Sequence, residues 1–190
     1  MIRDIIVIGS PVGGAAALAQ CISDLPADLE ATVFAVLHTT PQNPILLADV
    51  LNDSGRLHAA LAIDGEPIER RRIYVAPNKA HLLVEKDKVR LNCDTCDDPI
   101  PSIDRLFVSA AQSYGARVIA VLLVQTGEDG VAGLAAVHAA GGRAIAQRDL
   151  NRLEASTSCA QSCDAHLALE EIGPLVLYYF HGGDDRQRRR

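Results

Sequence analysis

The chain has 190 residues, of which 48% are hydrophobic and 22% are charged, and its formal net charge is −6. This length and composition are typical of one globular domain with a full hydrophobic core. The acidic balance and an aromatic content of 4% argue against a general nucleic-acid-binding protein, which needs a basic surface and aromatic platforms for bases.

The first part of the chain alternates predicted strands and helices. An unbroken run of apolar residues predicts a buried strand at Ile5–Ile8, and helix-forming residues follow at Ala15–Ile22. A second buried strand is predicted at Thr32–His38. A helix that starts with proline is predicted at Pro44–Leu51, and another strand at Arg72–Pro77.

The second part continues this alternation after a predicted hairpin at His81–Leu91, which turns at Lys86-Asp87. Ser102 is a candidate N-cap for the helix that follows it. The most hydrophobic segment, Ala116–Val124, predicts a central strand. The later predicted elements are a helix at Gly130–Ala140, a strand at Arg143–Gln147, and helices near Cys159–His166 and at Ile172–Tyr179.

This order of elements predicts a doubly wound α/β fold, with a mostly parallel sheet, helices on both faces and an antiparallel hairpin. We expect residues 1–180 to form the domain and residues 181–190 to be a disordered polar, basic tail. The other basic cluster, Arg70-Arg71-Arg72, is expected to be a solvated turn.

Three polar residues follow predicted parallel strands: Ser10, His38 and Asp129. Because the carboxyl ends of parallel strands share one edge of a sheet, we expect these residues and Pro11 to meet there. An alcohol, an imidazole and a carboxylate are the groups that nucleophilic acyl transfer requires. Each also has a structural interpretation: His38 can be an ordinary loop residue, and Asp129 can cap the next helix.

Nucleotide binding is an alternative for the opening turn, because a strand there runs through glycines into a helix. The glycines are Gly9, Gly13 and Gly14, which do not have the dinucleotide spacing. Pro11 also stands where the second glycine of that motif lets the pyrophosphate approach. We therefore predict no nucleotide and no other cofactor.

The five cysteines are scattered, which indicates reduced thiols in a cytoplasmic protein. Cys93 and Cys96 form one CxxC pair without a second pair, and Cys159, Cys163 and His166 do not complete a set of four ligands. We predict no structural metal. The opening apolar run is too short for a signal peptide, and no stretch reaches the length of a membrane span, so we predict no membrane insertion.

Three long segments resemble the catalytic domain of CheB-type protein-glutamate methylesterases, which are bacterial chemotaxis enzymes that hydrolyse methyl esters on receptor glutamates. The segments are GEPIERRRIYVAPNKAHLLVEKDKVRL, PSIDRLFVSAAQSYGARVIAVLL and GEDGVAGLAAVHAAGGRAIAQ. The resemblance implies the same doubly wound fold and a methylated chemoreceptor or a related signalling protein as partner. It also implies that the receiver domain of better-known members is missing before the first strand.

The family's nucleophile lies in a Gly-x-Ser-x-Gly-Gly turn, which here reads GSPVGG. The resemblance therefore places Pro11 at the nucleophile position and Ser10 one residue early, while His38 and Asp129 match the family's histidine and aspartate. The family's Thr-Gly-Met-Gly turn before the aspartate and its Met-Pro pair are replaced here, at 124–127 and in EASTSCAQS. We predict that catalysis is lost or crippled and that the domain binds or regulates. The alternative is an active ester hydrolase that uses Ser10, His38 and Asp129.

Overall fold

The computed structural model of the chain describes residues 2–38, 46–93, 101–123, 128–148 and 163–184. The strands are β1 (Ile5–Ser10), β2 (Thr32–Leu37), β3 (His58–Leu61), β4 (Arg72–Val75), β5 (His81–Glu85), β6 (Lys88–Asn92), β7 (Val118–Leu122), β8 (Arg143–Gln147) and β9 (Ala165–Leu167). The helices are α1 (Ala15–Ser23), α2 (Leu47–Ser54), α3 (Ile103–Tyr114), α4 (Val131–Ala139) and α5 (Leu169–Phe180).

Seven strands form one sheet in the order β3-β4-β2-β1-β7-β8-β9, and every pairing in it is parallel. Strands β5 and β6 form a separate antiparallel pair. The predicted doubly wound α/β fold with an antiparallel hairpin is confirmed. The chain adds strands first on one side of β1 and then on the other, so the strand order reverses at β1, where ligands bind in open α/β sheets.

Two hydrophobic clusters lie on opposite faces of the sheet. The first contains residues of α1, α2 and α5, and the second contains residues of α3, α4 and the hairpin. Within β1, Ile6 and Ile8 belong to the first cluster, while Ile5 and Val7 belong to the second. This alternation decides the face to which each residue at the end of a strand points.

Two sequence predictions of secondary structure are corrected. Strand β3 was not predicted, because its sequence HAAL contains no run of large apolar residues. It lies at one edge of the sheet and is partly exposed. The segment near Cys159–His166 was predicted to be helical, but Ala165–Leu167 is strand β9, paired with β8. Pairing with a neighbouring strand overrides the local preference for helix there. Residues 159–162 of that segment lie outside the described residues.

The basic cluster at residues 70–72 is an ion-pairing site. Arg70 lies 3.2 Å from the buried carboxylate of Asp4, and Arg72, in β4, lies 2.8 Å from Glu66. Arg117 makes two hydrogen bonds of 2.8 Å to the same Asp4 carboxylate. The expected solvated turn is present at Arg70 and Arg71, which are exposed, while Arg72 is a partly buried residue of β4. The cluster also forms ion pairs within the fold, which the sequence analysis did not predict.

Candidate active site

The backbone joins the ends of β1 and β2 at the edge of the sheet where the site was expected. Ser10 pairs with Leu37 in the parallel register, and the N–H of His38 donates a hydrogen bond of 2.9 Å to the carbonyl oxygen of Ser10. His38 therefore begins directly beside the turn that follows β1. We call the carboxyl ends of β1 and β2, together with Asp129, the strand-end site.

His38 and Asp129 are in direct contact within the strand-end site. The Nε2 atom of His38 lies 2.9 Å from Oδ2 of Asp129, and their side chains are 17% and 13% exposed. An ionised carboxylate can only accept a hydrogen bond, so Nε2 carries the proton in this pair. In the neutral imidazole, Nδ1 is then the acceptor.

The carboxylate of Asp129 also sits on the N-terminus of α3. It accepts hydrogen bonds from the N–H of Ile103 at 2.8 Å, the N–H of Asp104 at 2.9 Å and the hydroxyl of Ser102 at 3.1 Å. Burial by itself would raise the pKa of Asp129, but the hydrogen bonds from His38 and from the two backbone N–H groups outweigh it and lower the pKa. Asp129 is thus held as a carboxylate.

Asp104 makes the reciprocal contact, since its carboxylate accepts a hydrogen bond of 2.6 Å from the N–H of Gly133 in α4. Burial is the main cause that raises the pKa of Asp104, and the nearby charge of Asp129 raises it further. The N-terminus of α3 is therefore bound by the carboxylate of Asp129, which precedes α4. The N-terminus of α4 is bound in turn by the carboxylate of Asp104, a residue of α3.

Glycine at position 9 lets α3 begin close to β1. A Cβ atom added to Gly9 would overlap the side chain of Ile103, the first residue of α3. Because Ile103 donates to Asp129, this close packing brings the N-terminus of α3 within reach of the carboxylate. The glycine thereby contributes to the site through packing and not through a phosphate-binding turn.

The turn after β1 is closed by a hydrogen bond of 3.1 Å from the N–H of Gly14 to the carbonyl oxygen of Pro11. Gly13, the third residue of this turn, has φ of +89°, a conformation that favours glycine. Pro11 is partly exposed, and it has neither a hydroxyl group nor a backbone N–H.

The side chain of Ser10 is buried beneath the turn that follows β1. Its exposed fraction is 0%, and a Cβ atom added to Gly14 would overlap its hydroxyl oxygen. The hydroxyl donates to the carbonyl of Pro11 at the long distance of 3.5 Å, and the described residues show no hydrogen bond between it and His38. Ser10 continues the alternation of Ile6 and Ile8, which belong to the same hydrophobic cluster as residues of α1.

The start of α3 is the part of the site that sequence reasoning missed. Ser102 was predicted as the N-cap of this helix, and its hydroxyl does accept from the N–H of Arg105 at 3.3 Å. Its contact with Asp129 was not predicted, because the two residues are 27 positions apart and the sequence carries no signal for their pairing. The altered segments at 124–127 and 154–162 lie outside the described residues.

The described ranges contain neither a cluster of metal-binding side chains nor a membrane-spanning helix. There, no three side chains of the His, Cys, Asp and Glu types are grouped so that they could hold a metal ion. Cys96 and Cys159 lie outside those ranges. None of the five helices described above is both long and apolar enough to cross a membrane.

Comparison with known proteins identifies the family of this chain. The sequence profile of the CheB methylesterase family matches residues 6–175. The chain is 33% identical over 188 residues to the protein-glutamate methylesterase/protein-glutamine glutaminase of group 2 operon of Bradyrhizobium diazoefficiens, a match that covers 94% of this chain and 47% of that protein. It is 37% identical over 145 residues to protein-glutamate methylesterase/protein-glutamine glutaminase 2 of Anaeromyxobacter dehalogenans, covering 76% of this chain and 42% of that protein.

The chain thus spans about half the length of the curated relatives it matches. Its fold matches the crystal structure of the Thermotoga maritima CheB methylesterase catalytic domain with a TM-score of 0.82 and 29% identity, covering 94% of this chain and 100% of that one. The chain therefore belongs to the CheB methylesterase family.

Proposed function

We propose that this CheB-type domain binds a methylated chemoreceptor or a related signalling protein without efficient hydrolysis of glutamate methyl esters. The observation that carries the proposal is the end of β1, where a fully buried Ser10 is followed by Pro11. Ester hydrolysis through a covalent intermediate needs a nucleophile beside a base. In this chain the His38–Asp129 pair is retained, and the residue that follows β1 has no group that can attack an ester.

Ser10 is a poor substitute for the missing nucleophile. Catalytic groups must lie within about 0.5 Å of their productive positions. A displacement by one residue moves a side chain by roughly the 3.8 Å that separates successive Cα atoms, and in a strand it also changes the face. Substrate would also have to reach a hydroxyl that has no exposed surface. These reasons favour loss of the reaction over the use of Ser10.

The same argument covers amide substrates. The relatives from Bradyrhizobium diazoefficiens and Anaeromyxobacter dehalogenans are named both methylesterase and glutaminase. If ester and amide cleavage both use a hydroxyl nucleophile at the end of β1, Pro11 removes them together. What the strand-end site keeps is an imidazole held by Asp129, whose Nδ1 can accept a hydrogen bond from a donor such as a backbone N–H of a receptor segment or the amide NH2 group of a glutamine side chain.

The catalytic part of the proposal is tested by measuring methanol release from a methylated chemoreceptor fragment. The Thermotoga maritima CheB catalytic domain serves as the positive control under the same conditions. We expect a rate at least about 10⁴-fold below that control, because removal of the nucleophile costs about 10⁶-fold in a serine protease. Robust hydrolysis that disappears in Ser10→Ala, together with labelling of Ser10 by a serine-directed phosphonate, would overturn this part.

The binding part is tested separately, by fluorescence anisotropy with labelled receptor fragments in methylated and unmethylated forms. We expect the methylated fragment to bind and His38→Ala to weaken its binding. His58→Ala is the matched control, because His58 is exposed on the edge strand β3. Failure of the full chain to bind either fragment would contradict the binding role without affecting the conclusion about catalysis.

A further inference from the structure

The start of α3 supplies most of the hydrogen bonds that the Asp129 carboxylate accepts. Oδ1 accepts from the hydroxyl of Ser102 and the N–H of Asp104, and Oδ2 accepts from the N–H of Ile103 and from His38. Three of these four donors therefore belong to residues 102–104. Because both oxygens are bound, the carboxylate cannot rotate without losing contacts with the helix, and His38 must fit the position that the helix sets.

Ser102 is itself fixed from three directions. Its side chain is buried at 2% exposure, and its hydroxyl accepts from the N–H of Arg105 at 3.3 Å while donating to Asp129. Its backbone N–H donates to Nδ1 of His81 at 3.2 Å. A hydroxyl has only one hydrogen to donate. Because the N–H of Arg105 donates to a lone pair of the Ser102 oxygen, the hydroxyl hydrogen points away from the helix and toward Asp129.

We infer that Ser102 is a positioning residue of the strand-end site, which holds Asp129 so that the carboxylate keeps the proton of His38 on Nε2 and leaves Nδ1 as the acceptor. This role goes beyond the proposed function, because it holds whether the site catalyses a reaction or only binds. It also differs from the role of an ordinary N-cap, which would stabilise α3 without affecting His38.

The experiment is NMR of the full chain labelled with ¹⁵N in its histidine rings, which reports the tautomer of His38 and the exchange of its Nε2–H with water. Ser102→Gly is the informative variant, because glycine is well tolerated at an N-cap position and removes the hydroxyl donor. We expect the Nε2–H of His38 to exchange at least several-fold faster in this variant. Ser102→Thr keeps both the donor and the acceptor and should restore the original signal.

Glu171→Ala is the control for general destabilisation. Glu171 accepts a hydrogen bond of 3.0 Å from the N–H of Ala168 at the start of α5, so its loss weakens a helix start without touching Asp129. We expect the His38 signals to stay unchanged in this variant. If folded Ser102→Gly also leaves the tautomer and the exchange rate unchanged, Ser102 is only a helix cap and the inference is wrong. If Ser102→Gly does not fold, a loss of the original signal in Ser102→Thr would equally overturn it.

Discussion

The Nε2 atom of His38 lies 2.9 Å from Oδ2 of Asp129, although the two residues are 91 positions apart in the chain. His38 follows β2 and Asp129 follows β7, and β1 lies between these strands, paired with both. The pair therefore brackets the end of β1, where Ser10 and Pro11 stand. The backbone of His38 lies directly beside this end, since its N–H donates a hydrogen bond of 2.9 Å to the carbonyl oxygen of Ser10.

Replacement of Asp129 with Asn should cost stability in a pH-dependent way. We expect Asp129→Asn to lower the free energy of unfolding by about 2 kcal/mol at pH 7, since hydrogen bonds to charged groups contribute about 1.5–3 kcal/mol. The pKa of Asp129 is lowered in the folded protein. Its stabilisation is therefore complete above the unfolded value, about 3.9, and is lost as the pH falls through the folded value.

Urea unfolding at pH 7, pH 5 and pH 3 checks this prediction. The free energy of unfolding should be clearly lower for Asp129→Asn than for the natural protein at pH 7 and pH 5. This difference should become smaller at pH 3. Asp28→Asn is the control, because Asp28 is exposed and should change stability little at any pH. A cost that stays constant from pH 7 to pH 3 would show that the charge of Asp129 contributes nothing.

Restoring a hydroxyl at the end of β1 should create some hydrolytic activity. Pro11→Ser puts the family's residue directly after the end of β1, where the carbonyl oxygen of Ser10 accepts a hydrogen bond from the backbone of His38. We expect methyl ester hydrolysis to rise above the background of the natural protein, but only partly toward that of an active relative. The reason is that the substituted segments at 124–127 and 154–162 also differ from the family pattern, and loss of a single oxyanion donor can cost about 10²–10³-fold.

The control for this rescue is the double variant Pro11→Ser with His38→Ala, which should return to background. Phosphonate labelling of Pro11→Ser should map to residue 11 by mass spectrometry. Activity that is indifferent to His38 would indicate that the new serine does not use the histidine as its base.

The contact between Ser10 and Gly14 can be tested by a double-mutant cycle. Gly14→Ala should destabilise the protein by about 1–3 kcal/mol, because the added methyl group would overlap the Ser10 hydroxyl. Ser10→Ala removes that oxygen and should recover part of the loss, giving a coupling energy of about 0.5 kcal/mol or more. Additive effects in urea unfolding would contradict the buried orientation of Ser10.

The two cysteines Cys21 and Cys93 should differ sharply in reactivity. Burial, and secondarily the charge of Asp24, raises the pKa of Cys21 to about 12, so its thiolate is scarce at pH 8. Cys93 is exposed. Iodoacetamide at pH 8 should modify Cys93 and leave Cys21 intact in the folded protein, as read by peptide mapping. In urea both cysteines should be modified, because unfolding exposes Cys21. Rapid modification of Cys21 without denaturant would contradict its burial.

The sequence by itself predicted the parallel α/β architecture and the proximity of His38 and Asp129. Unbroken apolar runs such as Ile5–Ile8 predicted the central parallel strands, because a strand covered on both faces needs apolar residues throughout. The rule that the carboxyl ends of parallel strands share one edge predicted that His38 and Asp129 lie close together. Local patterns failed for β3 and β9, where weak edge segments become strands only through pairing with a neighbour.

Only the tertiary structure decided how the residues at the strand-end site are oriented. The alternation of side chains along β1 is a local rule, but the burial of Ser10 beneath Gly14 depends on how the next turn folds back. The attachment of Asp129 to the N-terminus of α3 depends on Gly9, whose missing side chain lets Ile103 pack against β1. Asp129 and Ile103 are 26 positions apart, and Gly9 is farther still from Ile103 along the chain. These contacts arise because packing brings together groups whose pairing leaves no periodic signal in the sequence.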